Sequence, residues 1–415
     1  MGTSRDQLYR ERMERIERAT ELKEPDRVPI TPNFSFFAAR HAGYTNREIM
    51  YDYEKSCRAI IKTTVDFGWD ATNGPPGLGL TLFSLALLRD HPDVSPLLGR
   101  ANGVIHDILG ERYGRFPGRE LPDDSPFQFI GGEYMKVDEY DRLIRDPTEF
   151  ITNVIMPRTC RSFERPGSAA YLGSAIKLGY ENSRFRAMYV NFIEELKGLG
   201  FPLNSSASSY APLDLIGDYL RDIKNVLLDV FRVPDKVKQA CDALTPLMIE
   251  YGKLTGSSAI KLIGSPRVFI PLHLNEYLSP KKFDEFYWST LKEVIFGLVK
   301  EGLVPFIFYE GYHDPHLETM LELPRGKTIA WFEKTDLRKA KEVLGGHTCI
   351  MGGPPASLLI GGTPAKVEDY MKSLLEDLKP GGGFIVNPAV SGIPDDAKHE
   401  NVKAMTEAVM RYGVY

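Results

Sequence analysis

Four short apolar runs in the last quarter of the chain carry the clearest pattern. They are Val304–Tyr309, Thr328–Phe332, Thr348–Met351 and Gly383–Val386, with helical stretches between them. Runs of this length, apolar on both faces and alternating with helices, predict buried parallel strands. Arg267–Ile270 repeats the pattern upstream and leads into His273, and Asp26–Ile30 is a further short strand candidate. Helical periods are predicted at 34–41, at 46–67 behind a Thr45 cap, at 212–231 and at 235–254. Ser279-Pro280 predicts a helix start, with serine capping and proline in the first turn, and Gly302 its stop. Thr363-Pro364 opens another helix, which ends before Pro380-Gly-Gly-Gly383. Repeated β-α units build a parallel sheet, and eight of them close a barrel. The expected fold is therefore α/β: one (β/α)8 barrel over 1–415, with an N-terminal helical extension and an irregular insertion or cap at about 100–205.

In such barrels the chemistry gathers where strands end. Two predicted strands end in an acid, Glu310 after Tyr309 and Glu333 after Phe332. The pair reads as a metal or acid site, or as salt bridges to a neighbour such as Lys334. His273, after its own strand, reads as a third metal ligand or as a hydrogen-bonded rim histidine. His313 and His316 have ligand-like spacing from Glu310, which a loop–helix junction explains equally well. His347 precedes its strand and reads as structural, and Cys349 as a small core residue. Aromatic residues near the strand ends, Phe308, Tyr309, Tyr312, Trp331 and Phe332, offer stacking faces for a ring. Asp70, after Phe67-Gly-Trp69, is expected to face the cavity.

Composition adds limits. The 415 residues are 43% hydrophobic and 26% charged, with a net charge of −5. Without a dense basic run, a nucleic-acid surface is not expected. The apolar window 77–88 is too short to span a bilayer, and the charged start lacks the apolar core of a signal peptide. Four cysteines lie far apart without a C-x-x-C pair. A reducing, cytoplasmic setting is expected.

Several local patterns, taken in order, resemble the uroporphyrinogen decarboxylase superfamily. They are Asp26-Arg-Val-Pro29, Arg40-His-Ala-Gly43, Phe67-Gly-Trp-Asp70, the stretch from Leu220 to Val237, Leu278-Ser-Pro280, Gly361-Gly-Thr-Pro364 and the segment Gly392–Asn401. The resemblance implies an (α/β) barrel and either a porphyrin decarboxylase or a cobalamin-dependent methyltransferase. The decarboxylase pattern needs a pair of arginines to clamp porphyrin carboxylates; here Arg40 is present and Tyr44 takes the second place. The coenzyme M branch ends a strand in His-x-Cys-Gly, and this strand reads Phe308-Tyr-Glu-Gly311. The late segment beginning at Asn387 also lacks the second cysteine. Losing the soft sulfur ligands disfavours a thiol acceptor. By resemblance, then, the chain is expected to move a methyl group from an aromatic methyl ether to cobalt(I) of a corrinoid on a separate protein, releasing a phenol. No Asp-x-His-x-x-Gly pattern for corrinoid binding occurs in the chain itself.

The implied site has Glu310 and Glu333 as catalytic groups and Glu310, Glu333 and His273 as ligands of Zn2+. Arg40, Asp70, Phe308, Tyr309, Tyr312, Trp331 and Asn387 are the expected substrate contacts. A corrinoid-binding protein is the expected partner, and a homodimer is a possible assembly. Three alternatives stay open: a uroporphyrinogen decarboxylase-type lyase, methyl transfer to or from coenzyme M or tetrahydrofolate, and a barrel that only binds.

Overall fold

The computed structural model describes residues 4–77, 80–99, 101–388 and 392–415. Positions 78 and 79 of the apolar window and 389–391 of the late segment lie outside them.

Eight staves form a parallel barrel. A hairpin in the insertion supplies β1 (Gly114–Arg115) and β2 (Gln128–Phe129). The barrel strands are then β3 (Ala207–Ser208), β4 (Arg267–Leu272), β5 (Val304–Tyr309), β6 (Ile329–Phe332), β7 (Cys349–Gly352) and β8 (Phe384–Val386), paired in sequence order. Two extended segments complete the ring. Ile30 bridges in parallel to Val386, and the Asp70 N–H donates to the Ile30 carbonyl at 2.9 Å. Thr72 then bridges to Leu203, just ahead of β3.

The pleat divides these strands cleanly, because alternate side chains point to opposite faces. Phe306, Phe308, Ile329, Trp331, Cys349, Met351 and Ile385 fill the inside of the barrel together with Ile16 and Ala19. Ile307, Tyr309, Ala330 and Phe332 face outward into the larger core against the helices. Ile16 and Ala19 belong to the helix Arg5–Thr20, which plugs the N-terminal mouth. Leu22, just beyond it, lies against Gly326 and Gly383, which come shortly before β6 and β8.

Several elements differ from the sequence pattern. The period at 46–67 is two helices, Asn46–Tyr51 and Tyr53–Phe67, broken at the extended Asp52. The period at 212–231 is interrupted by a π-helical stretch, Ile216–Arg221, and by Asp222 at φ 73°. Pro234–Ile263 runs well past residue 254. Ser279 makes no side-chain cap bond, whereas Thr363 accepts from the Lys366 N–H at 3.4 Å. The region 100–205 is largely helical rather than irregular and contains the 30-residue helix Ala169–Gly198. Its amphipathic signal is weak because its first half is exposed: Leu172, Ile176 and Tyr180 face solvent. Among the described residues, no helix is long and apolar enough to cross a membrane.

Candidate functional site at the C-terminal mouth

β4 and β5 end side by side, and each delivers one polar side chain to the mouth. Phe269 points inward, so His273, four residues on, shares its face; Glu310 stands in the same relation to Phe306. His273 Nε2 lies 3.5 Å from Glu310 Oε1. The other ring nitrogen, Nδ1, lies 2.5 Å from Asp218 Oδ2, which also accepts from the Tyr210 hydroxyl at 2.6 Å. Asp218 stands on the π-helical stretch, and Asp214 stands one turn before it. Asp214 accepts from the His273 and Leu274 N–H groups at 3.1 and 2.9 Å and from the Tyr287 hydroxyl at 2.5 Å.

The electrostatics follow from this crowding of acids. Burial alone would lower His273, but the Asp218 carboxylate outweighs it and the imidazole is pushed up to about 10, so it is cationic at neutral pH. Burial pushes Glu310 up to about 7; His273 opposes this, while Glu333, Asp214 and Asp218 add to it. Burial also raises Asp214, against the pull of His273. The mouth therefore pairs a fixed imidazolium with a carboxyl that holds its proton near neutrality. Both side chains remain partly open, His273 by 26% and Glu310 by 35%.

The other candidates from the sequence are placed as follows. The Glu333 side chain is turned to the backbone, where Oε2 accepts from the Gly311 N–H at 2.6 Å. Among the described residues no group of three His, Cys, Asp or Glu side chains is arranged to hold a metal ion. His273 and Glu310 offer two donors, where a catalytic zinc normally takes three protein ligands. The expected three-residue zinc set does not fit this arrangement.

Asp70 does not reach the mouth. It lies fully buried at the opposite, N-terminal end, where Arg15 bonds it at 2.6 Å and Arg27 at 2.7 and 2.8 Å. Arg40 bonds the Ala397 carbonyl and lies 3.6 Å from Asp396, holding two rim segments together. Asn387 is buried; its Oδ1 accepts from the Asn33 N–H at 3.0 Å, tying β8 to the stave at 28–31. Phe308 and Trp331 fill the barrel with ring centroids 4.1 Å apart. They form a floor below Glu310 rather than an open shelf. Tyr309 points outward, 4.4 Å from the His313 ring, and Phe332 packs beside it. Tyr312 is exposed on the rim. His313 and His316 are buried among Phe283 and Tyr309 and are held neutral by desolvation. His347 bonds the Leu323 carbonyl away from the mouth, and Cys349 is barrel core.

Sequence reasoning missed Asp214, Asp218 and Tyr210. The signal was present: two acids four residues apart inside the apolar stretch Ala211–Leu220, where unpaired charge is rarely buried.

A cavity of about 710 Å³ lies between the segments 73–77 and 204–208 and the helices Ala169–Gly198 and Pro234–Ile263. Phe269 and Phe306 form its inner wall. His273 and Glu310 do not line it; on β5, Phe308 stands between cavity and cluster.

No protein of curated function matches the chain. A solved structure described as a methyltransferase from Methanosarcina mazei is similar at 17% identity, with a TM-score of 0.65, over 96% of this chain and 98% of that one. At that identity the likeness establishes the barrel fold. The model of the family described as "Uroporphyrinogen decarboxylase (URO-D)" matches residues 193–412, more than half of the chain and every strand from β3 to β8. The barrel, its polar C-terminal mouth and this match together place the chain in the uroporphyrinogen decarboxylase family.

Proposed function

We propose that this chain is a methyltransferase that takes a methyl group from an aromatic methyl ether and releases the phenol. The observation that carries the reading is Glu310: a half-buried carboxyl, pushed up to about 7 chiefly by burial, beside the fixed imidazolium of His273.

An aryl methyl ether resists transfer because a phenolate must leave, and the conjugate acid of that leaving group has a pKa of about 10. The methyl acceptor, cobalt(I) of a corrinoid on a separate protein, enters as the second substrate and supplies the nucleophile. This chain protonates the ether oxygen as its bond to the methyl carbon breaks. The protonated Glu310 carboxyl is the donor, and its pKa near neutrality suits a general acid. His273 lies 3.5 Å away and stabilises the carboxylate left behind, while Asp218 holds the ring in place. At the rim beside Glu310, the exposed Tyr312 gives the arene an aromatic contact.

The same electrostatics weigh against a tetrapyrrole decarboxylase. The cation at the mouth, His273, is already paired with Asp218, and Arg40 is tied to the Ala397 carbonyl and Asp396, so among the described residues the several carboxylates of a porphyrinogen have no free cationic clamp in this cluster. The zinc expected from the sequence has no part in the proposed step. The test is transfer from a panel of methoxy-arenes to a cobalt(I) corrinoid protein, followed by absorbance. Methyl transfer with release of a phenol is expected; turnover of a porphyrinogen with no methyl transfer would favour the lyase.

A further inference from the structure

The turn that carries Glu310 is gripped from two sides. Asn275 Nδ2 donates to the Glu310 carbonyl at 2.8 Å. On the far side of the same peptide, the Gly311 N–H donates to Glu333 Oε2 at 2.6 Å. Both polar ends of the Glu310–Gly311 peptide are thus taken by side chains, one from the turn after β4 and one from the end of β6. Two backbone bonds brace the junction with β6: the Glu333 N–H to the Tyr309 carbonyl at 3.1 Å and the Lys334 N–H to the Gly311 carbonyl at 3.2 Å. Gly311 has φ +65°, and a Cβ there would lie 2.0 Å from Glu276 Oε2. That same oxygen accepts from the Tyr312 N–H at 3.3 Å. Asn275 is itself fully buried and abuts His313 Nδ1 at 3.4 Å, so it has little freedom to swing away.

A carboxyl on an exposed strand-end turn would ordinarily sample several positions, because loops are the mobile part of such a barrel. Here the peptide that bears it is fixed, and with it the direction in which the Glu310 side chain leaves the backbone. We infer that Asn275 and Glu333 are positioning residues, which clamp the Glu310–Gly311 peptide so that the Glu310 carboxyl is held opposite His273 and aimed into the mouth. The inference rests on the proposed role of Glu310 and gives Glu333 a part different from the catalytic or ligand role its strand-end place suggests. It acts through the backbone of its neighbour, as an acceptor.

Glu333→Gln keeps an oxygen that can accept from the Gly311 N–H; Glu333→Ala does not. Asn275→Asp removes the donor to Glu310. Two readouts separate the clamp from the methyl-transfer reading. Amide hydrogen exchange reports the Gly311 N–H directly, with no substrate. Exchange is expected to quicken at least tenfold in Glu333→Ala, to stay near wild type in Glu333→Gln, and to be unchanged in Glu310→Gln. Steady-state kinetics then report the consequence. In Glu333→Ala and Asn275→Asp, kcat should fall on the order of 100-fold, the cost of a small misplacement of a reacting group, with KM within about threefold of wild type. Glu333→Gln should restore most of kcat. Unchanged Gly311 exchange in Glu333→Ala overturns the clamp, whether or not methyl transfer is observed. Equal kcat losses in Glu333→Ala and Glu333→Gln would also overturn it, since the charge rather than the acceptor would then be what matters. Gly311 exchange behaving as expected in the variants, with no methyl transfer from any methoxy-arene, would leave the clamp standing and remove the function.

Discussion

At the scale of single residues, the proposed chemistry depends on which acid keeps its proton. Glu310 does so because burial penalises its charge, and Glu333, Asp214 and Asp218 add to that penalty. A general acid works only while protonated. The rate should therefore hold on the acid side and fall as pH rises through about 7, and Glu310→Gln should lose both that limb and about 100-fold or more in kcat. A pH–rate profile of both proteins checks this. His273 depends on Asp218 in turn. Asp218→Asn removes the foremost cause of its upward shift, so the imidazole should titrate well below its wild-type value of about 10 by histidine NMR. Asp70 makes the contrast. From the sequence it reads as a cavity residue, because an acid after an apolar turn looks the same at either end of a stave. Its partners Arg15 and Arg27 show it at the closed end. Asp70→Asn strips two partly buried arginines of their shared carboxylate. It should cost about 3–5 kcal/mol in urea unfolding while leaving KM unchanged.

At the scale of elements, legibility followed how completely a strand is buried. Val304–Tyr309 was readable to the residue because both of its faces are apolar, and β6, β7 and β8 were placed within one residue at each end. The stave at 28–31 was legible only as the overlapping run Asp26–Ile30, and the one at 70–72 was not read as a strand, since each joins the ring through little more than one bridge. Inward and outward faces could not be assigned while both were apolar, which is why Tyr309 and Phe332 were grouped with Phe308 and Trp331. Asp214 and Asp218 stayed hidden inside an apolar helical period. The turn after β5 carries the sharpest prediction at this scale. Gly311→Ala must place a methyl group at positive φ and against Glu276, whose carboxylate already bonds Tyr312. It should lower kcat at least as much as Glu333→Ala, and a thermal melt should show a loss of several degrees.

At the scale of the whole molecule, the N-terminal helix closes one mouth of the barrel and leaves the other as the way in. Family membership and the barrel were legible from the order of weak motifs along the chain, but the working cluster was only half legible. His273 and Glu310 could be read because each follows an apolar run; the acids that orient His273, Asp214 and Asp218, lie on a helical segment between fifty and sixty residues earlier in the chain. The most direct test of the central claim is a single-turnover transfer from methoxy-arenes to a cobalt(I) corrinoid protein, monitored by absorbance, with wild type and Glu310→Gln side by side at pH 6 and pH 8. The account predicts phenol release by wild type, faster at pH 6, and a Glu310→Gln protein that binds the ether yet transfers slowly at both. Transfer by Glu310→Gln at the wild-type rate, with only KM raised, would contradict it.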